Sequence, residues 1–160
     1  MAPPALAPSF VADVHLARLA RHLRLMGYDT VWGQETTDEE LARLSREENR
    51  WLLTRDRALH DSHVASGGRG HYVLATEPDE QLREVIGRWE LKQWLKPFTR
   101  CLDCNSVLLP TKAHHVIERV ARSIVEAHED FFLCSRCERV YWKGSHYDRM
   151  IGWLGKFFKD

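Results

Sequence analysis

Two spacings of apolar residues alternate along the first ninety positions. Short contiguous runs occur at residues 9–13 (SFVAD), 28–32 (YDTVW), 51–54 (WLLT) and 71–75 (HYVLA), each of the length of a buried strand. Between them the apolar positions fall three and four apart, as on one face of a helix. Leu16, Leu19, Ala20, Leu23 and Met26 form the first such set, and Gly27 closes it as a glycine past a helix end would. Thr37 with Glu40 makes a capping box that opens a second helix through Leu41 and Leu44 to about Glu48. A short helical stretch runs to about Val64, and another follows Pro78 from about Asp79 to Trp89. The Gly-rich 67–70 stretch (GGRG) reads as a loop, since it lacks the Gly-Lys-Ser/Thr end of a phosphate-binding loop. Strands alternating with helices predict an α/β fold, a parallel sheet flanked by helices with right-handed crossovers.

Beyond residue 90 the pattern changes. Residues 92–98 read as a connector, 114–128 as a helix, and 147–158 as an amphipathic helix that packs back onto the body through Met150, Ile151, Trp153, Leu154, Phe157 and Phe158. The expected organisation is a flexible leader over 1–8, an α/β domain over 9–97, a cysteine module over 98–145 and a closing helix over 146–160. A chain of 160 residues and 18.7 kDa accommodates one ordinary domain and a small stapled module. No apolar run approaches the ~18 residues of a membrane helix, so no membrane partner is expected. The leader MAPPALAP lacks the cationic start of a signal peptide.

All four cysteines fall into two Cys-x-x-Cys pairs, Cys101 and Cys104 in CLDC and Cys134 and Cys137 in CSRC, separated by 29 residues. Two such knuckles set four thiolates around one ion at about 2.3 Å, a closed structural zinc site. His114, His115 and His146 are then not needed as ligands. Without an export signal, the paired thiols favour metal binding in a reducing cytoplasm over disulfides. The net charge of zero divides unevenly: −4 over residues 1–90 and +4 over 91–160, with every lysine in the second part. An acidic half joined to a basic half suits metal-holding acids beside a phosphate-binding surface, though a difference of this size also arises without function.

In an open parallel sheet the loops leaving the carboxyl ends of the strands converge on one edge. Asp13 closes the first strand, Asp38 opens the second helix beside Glu39 and Glu40, and Asp56 follows the third strand; Asp79 and Glu80 are a looser fourth candidate. Carboxylates gathered there repel one another unless a cation such as Mg²⁺ or Mn²⁺ neutralises them. Helix-capping roles would also account for Asp38 and Asp56. Arg18, Arg21 and Arg24 line the first helix, either as a solvated face or as phosphate contacts. Lys143, Ser145 and His146 follow the second knuckle, with Tyr141, Trp142 and Tyr147 as a small core or as stacking surfaces for unpaired bases.

FVADVHLARLARHLRLMGYDT, WLLTRDRAL, EQLREVI, RCLDCN and CSRCERVYWKGSHYDRM together resemble the Mut-seven C-terminal RNase domain family, over residues 10–150. The resemblance implies a PIN-like parallel sheet flanked by helices, followed by a C-terminal zinc ribbon, and a metal-dependent ribonuclease site for RNA, most simply single-stranded. Carried across, Asp13, Asp38 and Asp56 hold Mg²⁺ or Mn²⁺, Thr54 orients a carboxylate or water, and the four cysteines hold one structural zinc. Arg18, Arg21, Arg55, Lys143 and His146 are the candidate RNA contacts, and no small-molecule cofactor is expected. Many PIN-like sequences carry another acid two residues after the Thr-x-Asp step, where this chain has Ala58; that implies fewer carboxylates on the ion. Two rival readings are a non-catalytic RNA-binding module and a protein-docking adaptor using the aromatic last helix.

Overall fold

The computed structural model describes residues 6–159, and in it a four-stranded parallel sheet precedes a three-stranded antiparallel one. The parallel sheet contains β1 (Phe10–Ala12), β2 (Thr30–Val31), β3 (Trp51–Thr54) and β4 (Gly70–Tyr72) in the order β2-β1-β3-β4. β1 pairs Phe10 with both Thr30 and Trp51, so the first strand is central. The chain therefore winds outward in both directions from the seam between β1 and β3.

Side chains alternate across a strand, and that alternation sorts the core into two layers. Phe10, Ala12 and Leu53 face α1 (Ala17–Leu25) and α4 (Pro78–Trp89), where they pack with Leu19, Leu23, Leu82 and Val85. Val11 and Leu52 face the other way, onto Leu41 of α2 (Asp38–Glu47) and Leu59 of α3 (Arg57–Ala65). Each fully buried Leu or Phe in these layers contributes about 1.5–3 kcal/mol relative to exposure. Both faces are covered, which is why the strands read as continuous apolar runs.

The second part builds β5 (Leu108–Lys112), β6 (Asp130–Cys134) and β7 (Val140–Trp142) into an antiparallel meander, with α5 (Ala113–Val116) and α6 (Arg122–Ala127) between β5 and β6. The last helix, α7 (Ser145–Gly155), returns to the body: Leu154 joins the larger core layer, and Met150 and Trp153 pack on Leu25, Phe98 and Leu102. No helix among the described residues is long and apolar enough to cross a membrane.

Several expected boundaries shift for physical reasons. Residues 1–5 of the expected leader lie outside the described residues, while Leu6 and Ala7 are exposed. The strand expected over 71–75 ends at Tyr72, because Arg55 and Glu84 take over the backbone beyond it. Arg55 Nη1 donates to the carbonyls of Val73, Leu74 and Ala75 at 2.7, 2.8 and 2.9 Å, and Glu84 accepts the amides of Leu74 and Ala75. The single helix expected over 114–128 is two short ones, interrupted where Ala121 is extended (ψ 144°). β-Branched Val116, Ile117 and Val120 favour helix weakly, and of these Val116 alone is buried, so packing does not compensate. The connector contains a 3-10 turn, Leu91–Trp94.

Candidate active site and cysteine centre

The carboxyl ends of β1 and β3 lie side by side at the point where the strand order reverses, the position at which open α/β sheets bind ligands. Asp13 lies one residue past β1, and its amide donates to the Leu53 carbonyl at 3.0 Å, so the ladder carries it to the edge. There its side chain turns to cap the 3-10 turn Val14–Leu16: Oδ1 accepts from the His15 amide and faces His15 Nδ1, both at 3.0 Å. Oδ2 accepts from the Thr54 hydroxyl at 2.8 Å, and Thr54 Oγ1 in turn accepts the Asp56 amide at 2.9 Å. Asp56 Oδ1 accepts the Leu59 amide at 3.0 Å and caps α3. A hydrogen-bonded chain thus runs from the end of β1 through the end of β3 to the start of α3. Asp13 is 4% exposed and Thr54 wholly buried, whereas Asp56 opens to solvent.

Asp38 is exposed at the first position of α2, behind the Thr37 cap, which accepts the Glu40 amide. Partial desolvation, followed by the negative charges of Asp56, Asp13 and Glu39, holds its carboxyl above the usual carboxylate range. The three aspartates come from three separate segments and lie close enough for Asp13 and Asp56 to act on the charge of Asp38, but among the described residues their oxygens are not gathered as tightly as metal ligands. Asp79, the looser candidate, points elsewhere: it pairs with Lys156 at 2.5 Å, beyond α7.

The four cysteines meet. All four Sγ atoms lie within 4.8 Å of one another, and among the described residues this is the group of three or more Cys, His, Asp or Glu ligand atoms so gathered. Cys101 and Cys137 are 3.6 Å apart and Cys104 and Cys134 3.3 Å, with no disulfide. A tetrahedron with metal–sulfur distances of about 2.3 Å has edges of about 3.8 Å, so the sulfurs stand close to the spacing zinc requires. Each knuckle turns back on itself: the Asn105 amide reaches the Cys101 carbonyl and the Glu138 amide the Cys134 carbonyl, both residues at positive φ (72° and 61°). Burial opposes ionisation at Cys104, but hydrogen bonds from Ser106 and then from Cys134 and Cys101 outweigh it and lower that thiol to about 6. Burial and the neighbouring sulfurs raise Cys137 to about 12. Thiolates crowded in this way are what a divalent cation relieves, and the centre fits zinc.

The family model of the Mut7-C RNAse domain matches residues 8–154. The chain belongs to the Mut7-C RNAse domain family. No curated protein and no solved structure matches it. Nearly the whole of this Mut7-C chain is covered, so both the parallel sheet and the cysteine module lie within the family's span.

The candidate RNA contacts separate in the fold. Arg18 is exposed on α1, just past the acid edge. Arg21 pairs with Asp103 at 2.7 Å, and Lys143 sits over the Tyr147 ring at 5.6 Å. His146 is exposed in the first turn of α7. Arg55 uses Nη1 on the three carbonyls that follow β4, so it positions a loop.

Arg24, read from the sequence as part of a solvated face or as a phosphate contact, is neither in this Mut7-C chain, being 4% exposed; Asn105 and Asp29 escaped sequence reasoning. Arg24 is buried and ties the domain to the first knuckle, with Nε on the Thr30 carbonyl at 2.9 Å and Nη1 on the Leu102 carbonyl at 3.0 Å. Asn105, directly after that knuckle, accepts the Thr30 amide at 2.9 Å and donates to Asp29 at 2.7 Å. Asp29 is gripped by both Arg50 nitrogens at 2.8 and 3.1 Å. Its carboxyl is held below the ordinary range: burial would raise it, but the hydrogen bonds of Arg50 and Asn105 and the charges of Arg50 and Arg100 outweigh that. Arg24 follows Ala20 by four residues, on the apolar stripe of α1, and that register was the available signal.

Proposed function

We propose that the chain is a divalent-cation-dependent ribonuclease that hydrolyses phosphodiester bonds of single-stranded RNA at the edge formed by Asp13, Asp38, Thr54 and Asp56. The observation that carries this reading is the Asp13–Thr54–Asp56 hydrogen-bonded chain at the sheet's switch point, with Asp38 repelled by both of its acids. Hard oxygen donors in mutual repulsion suit Mg²⁺ or Mn²⁺, which Asp13, Asp38 and Asp56 would hold. When bound, such an ion neutralises charge and activates water for in-line attack on phosphorus. A single ion fits three carboxylates better than a pair does, consistent with Ala58 in place of a further acid.

The chain's own residues do the positioning. Thr54 fixes Asp13 Oδ2 and the backbone of Asp56 together, so the Asp13 carboxylate cannot turn without breaking a buried bond, while the Leu59 amide holds the Asp56 carboxylate at the solvent side. His15 holds the other Asp13 oxygen. Arg18 stands where a guanidinium can take a backbone phosphate through forked, charge-assisted bonds. The expected products carry 5′-phosphate and 3′-hydroxyl ends. Zinc on the four cysteines would hold the ribbon together without joining the chemistry, and free thiols of this kind suit a reducing compartment such as the cytoplasm.

The test is to incubate zinc-loaded protein with labelled RNA and DNA oligomers in Mg²⁺, in Mn²⁺ and with neither added, following binding and cleavage together. Cleavage of RNA only with added cation is the expected result. Salt-dependent binding that ignores the cation and yields no product would replace this reading with the non-catalytic RNA-binding one.

A further inference from the structure

The seam between the cysteine module and α7 contains a cavity of about 410 Å³ that the proposed chemistry does not use. Phe98, Trp142, Tyr147 and Met150 supply its apolar walls, and Phe98 meets Tyr147 edge-on at 4.5 Å. Trp142 is held against Gly144: a Cβ at that glycine would lie 2.8 Å from the indole Nε1. Arg21, Arg139, His128 and His146 also line the cavity. Arg21 and Arg139 share the one carboxylate of Asp103, at 2.7 and 2.6 Å, which leaves a guanidinium charge unbalanced there. Both side chains remain more than half exposed, at 52% and 59%.

We infer that this cavity takes an unpaired base of the RNA strand, with Arg21 and Arg139 holding the adjoining phosphate; the inference rests on the ribonuclease reading above and names a specificity site for it. The chemistry favours a nucleotide over a peptide segment. Aromatic side chains can stack on any base, and sequence-tolerant stacking is how single strands are gripped. An apolar peptide would leave the guanidinium charge that Arg21 and Arg139 hold in excess of Asp103 without a partner, whereas the phosphate of a nucleotide supplies one. The position also fits. α1 leads away from the acid edge, Arg18 and Arg21 are exposed one turn apart on it, and Arg21 lines the cavity. Arg21 is eight residues past Asp13, roughly 12 Å at helical rise, so a strand lying along α1 would place a nucleotide near the cut in reach of the cavity.

The test uses full-length zinc-loaded Asp56→Asn protein, in which asparagine preserves the α3 cap and cleavage is silenced. Affinities are measured for a set of labelled single-stranded RNA hexamers, each with one abasic nucleotide at a different position. The proposal predicts one position at which the missing base weakens binding about tenfold or more, and the disappearance of that sensitivity in Trp142→Ala and Tyr147→Ala proteins. Gly144→Ala, which forces the indole to shift, should erase it too while zinc content stays intact. Arg139→Gln should weaken all hexamers alike and lower the salt dependence. A flat abasic profile in the parent, or a profile unchanged in the pocket variants, overturns the proposal. If wild-type protein still cleaves the unmodified hexamer in those cases, the ribonuclease reading survives alone; absence of both RNA binding and cleavage overturns both.

Discussion

Thr54 is the residue through which the acid edge is held. Its hydroxyl donates to Asp13 and accepts from Asp56, and the side chain is wholly buried, so water cannot substitute for either bond. Thr54→Val keeps the shape and removes the hydroxyl. That leaves a carboxylate oxygen and an amide unpaired, at a cost of about 1–3 kcal/mol. A lowered urea midpoint and a cleavage rate down at least about tenfold are expected, with Thr54→Ser retaining most of both. Asp13 itself was legible from the chain, as an acid ending an apolar strand needs a partner. That the partner would be a hydroxyl forty-one residues away was not, because nothing local in WLLTRD specifies where Thr54 points.

Elements were legible where packing agrees with local pattern and lost where side chains reach across. The four strands and their helices appear in their expected order because each apolar run has a layer to bury against. β4 is shorter than its apolar run because Arg55 and Glu84 claim the backbone of Val73, Leu74 and Ala75. The seams between helices add a buried histidine, His63, and a half-buried one, His22, that no periodicity announces. His63 of α3 meets the Ser45 hydroxyl of α2 at 2.9 Å, and His22 of α1 packs at a tilt against Trp153 of α7, with ring centroids 4.4 Å apart. Burial is the largest cause lowering both below 6.5. The folded protein then binds fewer protons than the unfolded chain in the window below 6.5, so stability is complete above that pH and declines as pH falls through it. Asp29 and Glu84, with carboxyls held down, add their own loss only at lower pH. Thermal midpoints taken from pH 8 to 5 should fall below 6.5, and His63→Gln and His22→Gln together should flatten that fall. A midpoint that holds constant to pH 5 would count against the neutral histidines.

At the scale of the whole molecule, the cysteine centre does more than close a ribbon on itself. Asn105, just after the first knuckle, caps the Thr30 amide at the edge of β2, and Arg24 spans from β2 to the same knuckle. Removing the metal, or Cys104→Ser, should therefore raise amide exchange at Thr30, while Leu52 and Leu53 in the sheet interior stay protected. Equal loosening of both would mean that the centre stabilises the molecule only globally. The cysteine pairs were the plainest signal in the sequence, and the family match over residues 8–154 includes them; their grip on β2 emerged only in three dimensions. The proposed chemistry lies upstream, on acids that follow three strands of the parallel sheet. Cleavage of a labelled single-stranded RNA in Mg²⁺ or Mn²⁺ by wild type beside Asp13→Asn/Asp56→Asn, with fold and zinc content verified in both, tests that assignment most directly. The account predicts product from the wild type and none from the double variant; equal cleavage by the two proteins would contradict it.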